Sequence, residues 1–232
     1  MLSILSIDIG IKNLSLCKEY YDIDLVKNIP IIEKKDRYTK DLISTDKYKS
    51  YINEVFKCGV VKIMDKKDIT NGIPFKFIDN KILINLIDYL DELNKKGYFN
   101  DIDIILIEKQ MKKNFIASTI QNHIHNYFIM LYRDSKNVII YPSKNKTRIL
   151  GAPLKTIDNK TNKIRKIKKY ERKKWSCEQV NQLLNLRNDQ LTLNYIFNLN
   201  KNKKDDLSDI LIQTLSYILL YIDKKINFSE KT

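Results

Sequence analysis

The chain is 232 residues long, enough for one domain with a sizeable core and insertions, and its 42 Lys and Arg outnumber 28 Asp and Glu for a formal charge of +14. That excess points to a polyanionic partner, but Lys is abundant throughout, so clustering of the charge has to carry the inference. Cys17, Cys58 and Cys177 lack zinc or redox spacing and read as thiols of a reducing compartment, the longest apolar stretch, 210–222, is too short and too polar at Gln213 and Ser216 to span a bilayer, and the N-terminus has no signal-peptide pattern.

In chain order, residues 2–9 predict a buried central strand: Ile and Leu dominate, no polar face recurs, and a single carboxylate, Asp8, is carried to a turn at Gly10. Residues 13–19 alternate as a second strand hairpinned to the first. Residues 20–54 keep no sustained period, and 32–49 are expected to be an inserted loop with short helices. The stretch VFKCGVVKIM, 55–64, predicts a third strand with Gly59 as a bulge. Apolar residues at 82, 83, 86, 87, 90 and 93 give 79–96 the spacing of an amphipathic helix, stopped by Gly97. Residues 102–107, almost pure Ile and Leu, predict a parallel strand ending on Glu108, followed by a helix over 112–133 and a short strand over 137–141.

Residues 143–175 change character. Thirteen Lys and Arg lie between 144 and 174 against only Asp158 and Glu171, and Tyr170 and Trp175 flank the densest part. Such a run can be a solvated loop; its density favours contact with a phosphate backbone, with Lys144, Lys146, Arg148, Lys168, Lys169, Arg172, Lys173 and Lys174 as candidates. Residues 169–186 read as a helix with basic first turns, and 191–204 as a polar, Asn-rich link. The last helix opens at Asp205, a cap or first-turn acid, and carries Asp206 and Asp209 on one face.

Asp8, Glu108, Asp206 and Asp209 are thus four carboxylates that a fold can gather. An ionised Asp within an apolar strand is costly unless paired or metal-bound, and clustered carboxylates repel without a cation. Hard divalent ions take such oxygen ligands, and two of them about 4 Å apart activate water and stabilise the leaving oxygen in phosphodiester hydrolysis. Singly, the acids have plainer readings, Asp8 as a turn cap and Glu108 as a strand-end residue. Competing chemistries are poorly served: His123 and His125 fall within a helix pattern, no Ser or Cys sits in a nucleophile elbow, and with five glycines and no P-loop there is no nucleotide cofactor to expect.

The stretches SIDIGIKNLS, ILIEKQ, IIYPSKNK, KYERKK and KKDDLSDILIQ, in that order, resemble those of the poxvirus Holliday-junction resolvases, relatives of RuvC and of the mitochondrial cruciform-cutting enzymes. The resemblance implies an α/β, RNase H-like fold: a five-stranded mixed sheet, three antiparallel strands and then two parallel ones, with helices on both faces. It implies one nuclease domain over 1–232 with insertions near 22–54, 150–168 and 185–204. The implied activity is a homodimer that cuts four-way DNA junctions by paired symmetric nicks, with Asp8, Glu108, Asp206 and Asp209 as catalytic acids holding two Mg2+, for which Mn2+ substitutes. Asn13 and Gln110 match polar positions of the family, and Lys173 and Lys174 are both candidates for its active-site lysine. Viral kinship implies a cytoplasmic replication site. The helix over 112–133, with Phe115, Ile116, Ile120, Ile124 and Phe128, is either the dimer element or ordinary core. Because a fold fixes chemistry better than substrate, the alternatives are a nuclease acting on other branched DNA or RNA/DNA hybrids, and a non-catalytic DNA-binding protein.

Overall fold

A computed structural model describes residues 1–10, 12–74, 79–158, 163–200 and 203–229, with side chains through 223. Among these residues the elements are β1 (Leu2–Asp8), β2 (Leu14–Tyr21), α1 (Ile23–Lys27), α2 (Lys34–Arg37), α3 (Asp46–Lys57), β3 (Gly59–Lys67), α4 (Asn80–Lys95), β4 (Ile104–Lys109), α5 (Phe115–Tyr132), β5 (Asn137–Pro142), α6 (Lys144–Ile149), β6 (Lys155–Ile157), β7 (Ile164–Lys166), α7 (Lys169–Leu186), α8 (Gln190–Leu193), a π-helical segment (Asn194–Leu199) and α9 (Lys204–Ser229). They form two compact units, Met1–Tyr21 with Val60–Ser143, and Asp22–Gly59 with Lys144–Thr232.

The first unit holds a five-stranded sheet in the order β3-β2-β1-β4-β5. β1 pairs antiparallel with β2, from Leu2 opposite Tyr21 to Asp8 opposite Ser15, and parallel with β4, from Ile4 beside Ile104 to Ile7 beside Ile107. β5 extends the parallel half. This mixed order is that of an RNase H-like sheet. Leu5, Ile7, Leu14, Leu16, Ile105 and Ile107 form one apolar core with Ile82, Leu86 and Leu90 of α4 and with Ile120, Ile124 and Phe128 of α5. Phe128 meets Phe99 edge to face at 5.1 Å, the arrangement that ring quadrupoles favour. Three of the five residues considered for a dimer contact are therefore ordinary core; Phe115 alone among them is exposed.

The helix ends follow local chemistry. Asp79 caps α4 by accepting from the Lys81 amide at 2.8 Å, and Gly97 closes it at a φ of +71°. Asn114 caps α5 by accepting from the Ala117 amide at 3.3 Å, which moves its start past residue 112. β4 runs to Lys109, so Glu108 lies inside the strand.

Two expectations are corrected in the second unit. Residues 46–57 are helix α3, capped by Thr45 and burying Tyr48, Tyr51, Ile52, Val55 and Phe56, so the short helices expected within 32–49 include the start of a twelve-residue one, 55–57 is not strand, and Gly59 opens β3 instead of bulging it. Likewise 190–199 is helical, with Leu193 and Ile196 buried, where a polar link was expected. All three stretches read as insertions fall in this unit. Its spine is α9, whose Leu207, Ile210, Leu211, Leu215 and Ile218 are buried and which packs on α6 and α7. Arg37 of α2 donates to both oxygens of Asp223, at 2.6 and 2.7 Å, and to the Ile32 carbonyl at 2.8 Å. Gly151, at a φ of +66°, lies so close to Ser44 that a Cβ would stand 2.5 Å from the Ser44 amide nitrogen, so only glycine fits.

Candidate active site

The first cluster belongs to the first unit. β1 and β4 run parallel, so their carboxyl ends share one sheet edge, and the register step after Ile7 and Ile107 brings Asp8 beside Glu108. Asp8 is 8% exposed and Glu108 half-buried. The chain then turns: the Asn13 amide donates to the Gly10 carbonyl at 3.2 Å, and a Cβ on Gly10 would lie 2.6 Å from the Asn13 oxygen. Asn13, expected to face DNA, thus closes the turn beyond Asp8 through its backbone. Gln110 donates from Nε2 to Glu108 Oε2 at 3.0 Å, while its amide donates to Gln121 Oε1 at 2.7 Å. Gln121 is itself buried on α5, so it fixes the Lys109–Gln110 peptide while the Gln110 side chain fixes the Glu108 carboxylate. Sequence reasoning missed Gln121; its one signal is an amide between Ile120 and Ile124 on the apolar face of α5.

The second cluster belongs to the second unit. Asp205 and Asp206 lie in the first turn of α9, and Asp209 follows one turn on. Lys173 of α7 pairs with Asp205 and stands 3.3 Å from Asp206 Oδ1. Burial pushes the Asp206 carboxyl up, and the neighbouring Asp205 charge adds to it. Burial, the largest single influence, would raise Asp205 as well, but the hydrogen bond and charge of Lys173 together with backbone N–H donors outweigh it and lower the carboxyl. Burial likewise opposes the charge on Lys173, yet the two carboxylates more than compensate and raise its pKa. Lys174 turns elsewhere, 3.7 Å from Glu178, with both side chains largely in solvent. The two candidate lysines thus differ in place: of the two, Lys173 sits on the acids.

Lys146 needs correction. Expected among the DNA contacts, it is only 4% exposed, and its Nζ lies 3.7 Å from Asp209 Oδ2. A buried ammonium is costly unless paired, so Lys146 serves the acid and not a backbone phosphate. Lys144, Arg148, Lys168, Lys169, Arg172 and Lys174 are exposed, as phosphate contact requires.

The donor chemistry of Asp8 and Glu108 suits a hard divalent ion, and the α9 acids offer the same donors with lysines as counter-charges. Among the described residues, no group of three or more His, Cys, Asp or Glu is arranged to hold a metal by itself. The three cysteines are free thiols, and among the described residues no helix is long and apolar enough to cross a membrane.

No family model matches the chain. It is similar to uncharacterized protein 170L of Invertebrate iridescent virus 6, 28% identical over 229 residues that cover 88% of this chain and 89% of that protein. It is also similar to uncharacterized protein 97L of Invertebrate iridescent virus 3, 27% identical over 234 residues, 92% of this chain and 98% of the other. Among solved structures, a Fowlpox virus resolvase in complex with substrate Holliday junction DNA aligns over 93% of this chain and 96% of its own, at 20% identity and a TM-score of 0.49.

Proposed function

We propose that this chain is a metal-dependent endodeoxyribonuclease that resolves four-way DNA junctions by paired symmetric nicks. The observation that carries the reading is the pair Asp8 and Glu108 at the carboxyl edge of adjacent parallel strands, where ligands of open α/β sheets gather. In this reading Asp8, Glu108, Asp206 and Asp209 are the oxygen ligands of two Mg2+, which Mn2+ replaces. The bound ions supply an activated water and a stabilised leaving oxygen. The protein's own residues do the rest. Gln110 and Gln121 hold the Glu108 carboxylate and the peptide behind it, so the ligand is set before substrate arrives. Lys173 keeps a positive charge at Asp206, where charge develops on a phosphate in flight. The exposed cations of α6 and α7, Lys144, Arg148, Lys168, Lys169, Arg172 and Lys174, take the phosphate backbone.

A four-way junction has approximate two-fold symmetry, so a two-fold homodimer presents two identical sites to opposing strands, and that is the assembly we assign. The iridovirus relatives support a place in viral DNA replication or recombination, and free thiols suit a reducing compartment such as the cytoplasm.

The test is cleavage of a labelled four-way junction beside a matched linear duplex and an RNA/DNA hybrid, with and without Mg2+, by this protein and its Asp8→Asn variant. Symmetric paired nicks that need the metal and vanish in the variant are the expected result, with junction binding kept. Preferential cutting of the hybrid would move the function to an RNase H-type activity, and binding without cutting would leave a DNA-binding protein.

A further inference from the structure

The basic stretch 150–168 contains a small, firmly held hairpin. β6 and β7 pair antiparallel, with Lys155 opposite Lys166, Thr156 opposite Arg165 and Ile157 opposite Ile164. Strand alternation puts Thr156 and Arg165 on one face and the other four residues on the opposite face. The first face is anchored. Arg165 donates to both oxygens of Glu171 on α7, at 2.8 and 2.7 Å, and to Asp158 at 3.1 Å, while Glu171 also accepts from the Lys168 amide at 2.7 Å. An isolated two-stranded ribbon is marginal in water, and this clamp is what holds it.

The second face does nothing for folding. Ile157 is 59% exposed and Ile164 72%, and Lys155 and Lys166 are exposed beside them. Like charges directly opposite each other destabilise a strand pair, and two β-branched apolar side chains left in water gain nothing. A face that opposes folding, carried on a clamped arm, calls for a partner with two features: an anion to lie between the lysines and, next to it, a flat apolar surface for the isoleucines. The anion side continues into exposed Lys168, Lys169 and Arg172 at the start of α7, which is the charge pattern of a nucleic-acid track. Continuous duplex offers phosphates but hides its base faces in the stack. DNA at a branch point offers both.

We infer that the exposed face of the β6–β7 hairpin engages the branch point, Lys155 and Lys166 on backbone phosphates and Ile157 and Ile164 against the base pair whose stacking is interrupted there. This rests on the junction-nuclease reading and adds the element that tells a junction from a duplex.

The experiment measures affinity for a four-way junction carrying 2-aminopurine beside the branch, and for a matched linear duplex, without divalent metal so that no strand is cut. The parent protein should prefer the junction and raise the 2-aminopurine fluorescence. Ile157→Thr with Ile164→Thr, which keeps β-branching, should lose about tenfold in junction affinity and the fluorescence rise while leaving duplex affinity and salt slope unchanged. Ile157→Leu with Ile164→Leu should behave as the parent, which separates apolarity from shape. Lys155→Gln with Lys166→Gln should weaken both substrates and reduce the salt slope by about two units. A threonine variant with parental junction affinity and fluorescence overturns the inference and leaves the nuclease reading standing, as does a leucine variant that fails alongside it. A threonine variant altered in self-association but not in DNA binding gives the face to a second copy and likewise overturns it. A parent that binds duplex and junction alike overturns the junction reading, and the inference with it.

Discussion

Arg37→Leu is the perturbation whose cost can be worked most directly from the structure. The Arg37 and Asp223 side chains are 8% and 16% exposed, and two hydrogen bonds of 2.6 and 2.7 Å join them in a fork. Removing the guanidinium strands a carboxylate that little water can reach and leaves the Ile32 carbonyl without its donor. Breaking such a buried pair from one side costs about 3–5 kcal/mol. At about 2–4 °C per kcal/mol for a chain of this length, the melting midpoint should fall by roughly 6–20 °C. Replacing both partners, Arg37→Met with Asp223→Leu, leaves no stranded charge and should recover most of the loss, less a small part from the Arg37 contact over the Tyr48 ring at 5.4 Å. Urea denaturation of parent, single and double variants measures both steps. A single variant within about 1 kcal/mol of the parent would mean that solvent screens the pair, and a double variant no better than the single would place the effect in packing; either would refute the reasoning.

Two further outcomes concern the basic helix α7. Lys173→Met should abolish most cleavage while lowering junction affinity little, because Lys173 is committed to Asp205 and Asp206, whereas Lys174→Met should lower affinity and reduce the salt slope by about one unit with the rate of bound substrate kept; rapid-quench kinetics on preformed complexes separates the two. The Arg165 hydrogen bonds, with that from the Lys168 amide, hold the Glu171 carboxyl down to about 2 from an ordinary 4.5. Since the folded value is the lower one, the clamp contributes fully above about pH 4.5 and is lost as pH falls through about 2. Carbon-13 titration of Glu171 should show this, and in Arg165→Gln the midpoint should return toward 4.5.

What was legible in the sequence follows from where water is. β1 is buried after Leu2 and β4 as far as Ile107, so they appear as runs dominated by Ile and Leu with no recurring polar face, and a carboxylate at the end of such a run stands out. α4 and α7 were readable from their spacing and from their ends; α7 spans 169–186 as its pattern predicts. α3 was not, because two of its buried residues are Tyr48 and Tyr51, which look amphipathic, and because Val55 and Phe56 adjoin the apolar start of β3 and merge with it into one apparent strand. The helical 190–199 was hidden by its asparagines, which lie mostly outward while Leu193 and Ile196 are buried. At the site, the acids and the candidates Gln110 and Lys173 are visible in the sequence, but which acid each partner holds is not. Lys146 is one lysine among thirteen Lys and Arg, and nothing in that run marks it as the buried one. Gln110 was found as a polar residue after Glu108, but its direction, toward the carboxylate, depends on the Gln121 bond to its amide.

The second unit is sewn together across long stretches of chain: Ser44 bonds to Leu150, Tyr38 to Ile149 and Arg37 to Asp223, separations of 106, 111 and 186 residues. At about 5–20 residues per second, Arg37 waits on the order of 10–40 s on the ribosome before Asp223 is made. Meanwhile every strand of the five-stranded sheet has been synthesised by Pro142. A nascent chain therefore carries Asp8 and Glu108 long before it carries Asp206 and Asp209. If the proposed reaction needs all four acids, a half-made copy would lack half of them, and the order of synthesis would itself act as a safety catch on the proposed activity.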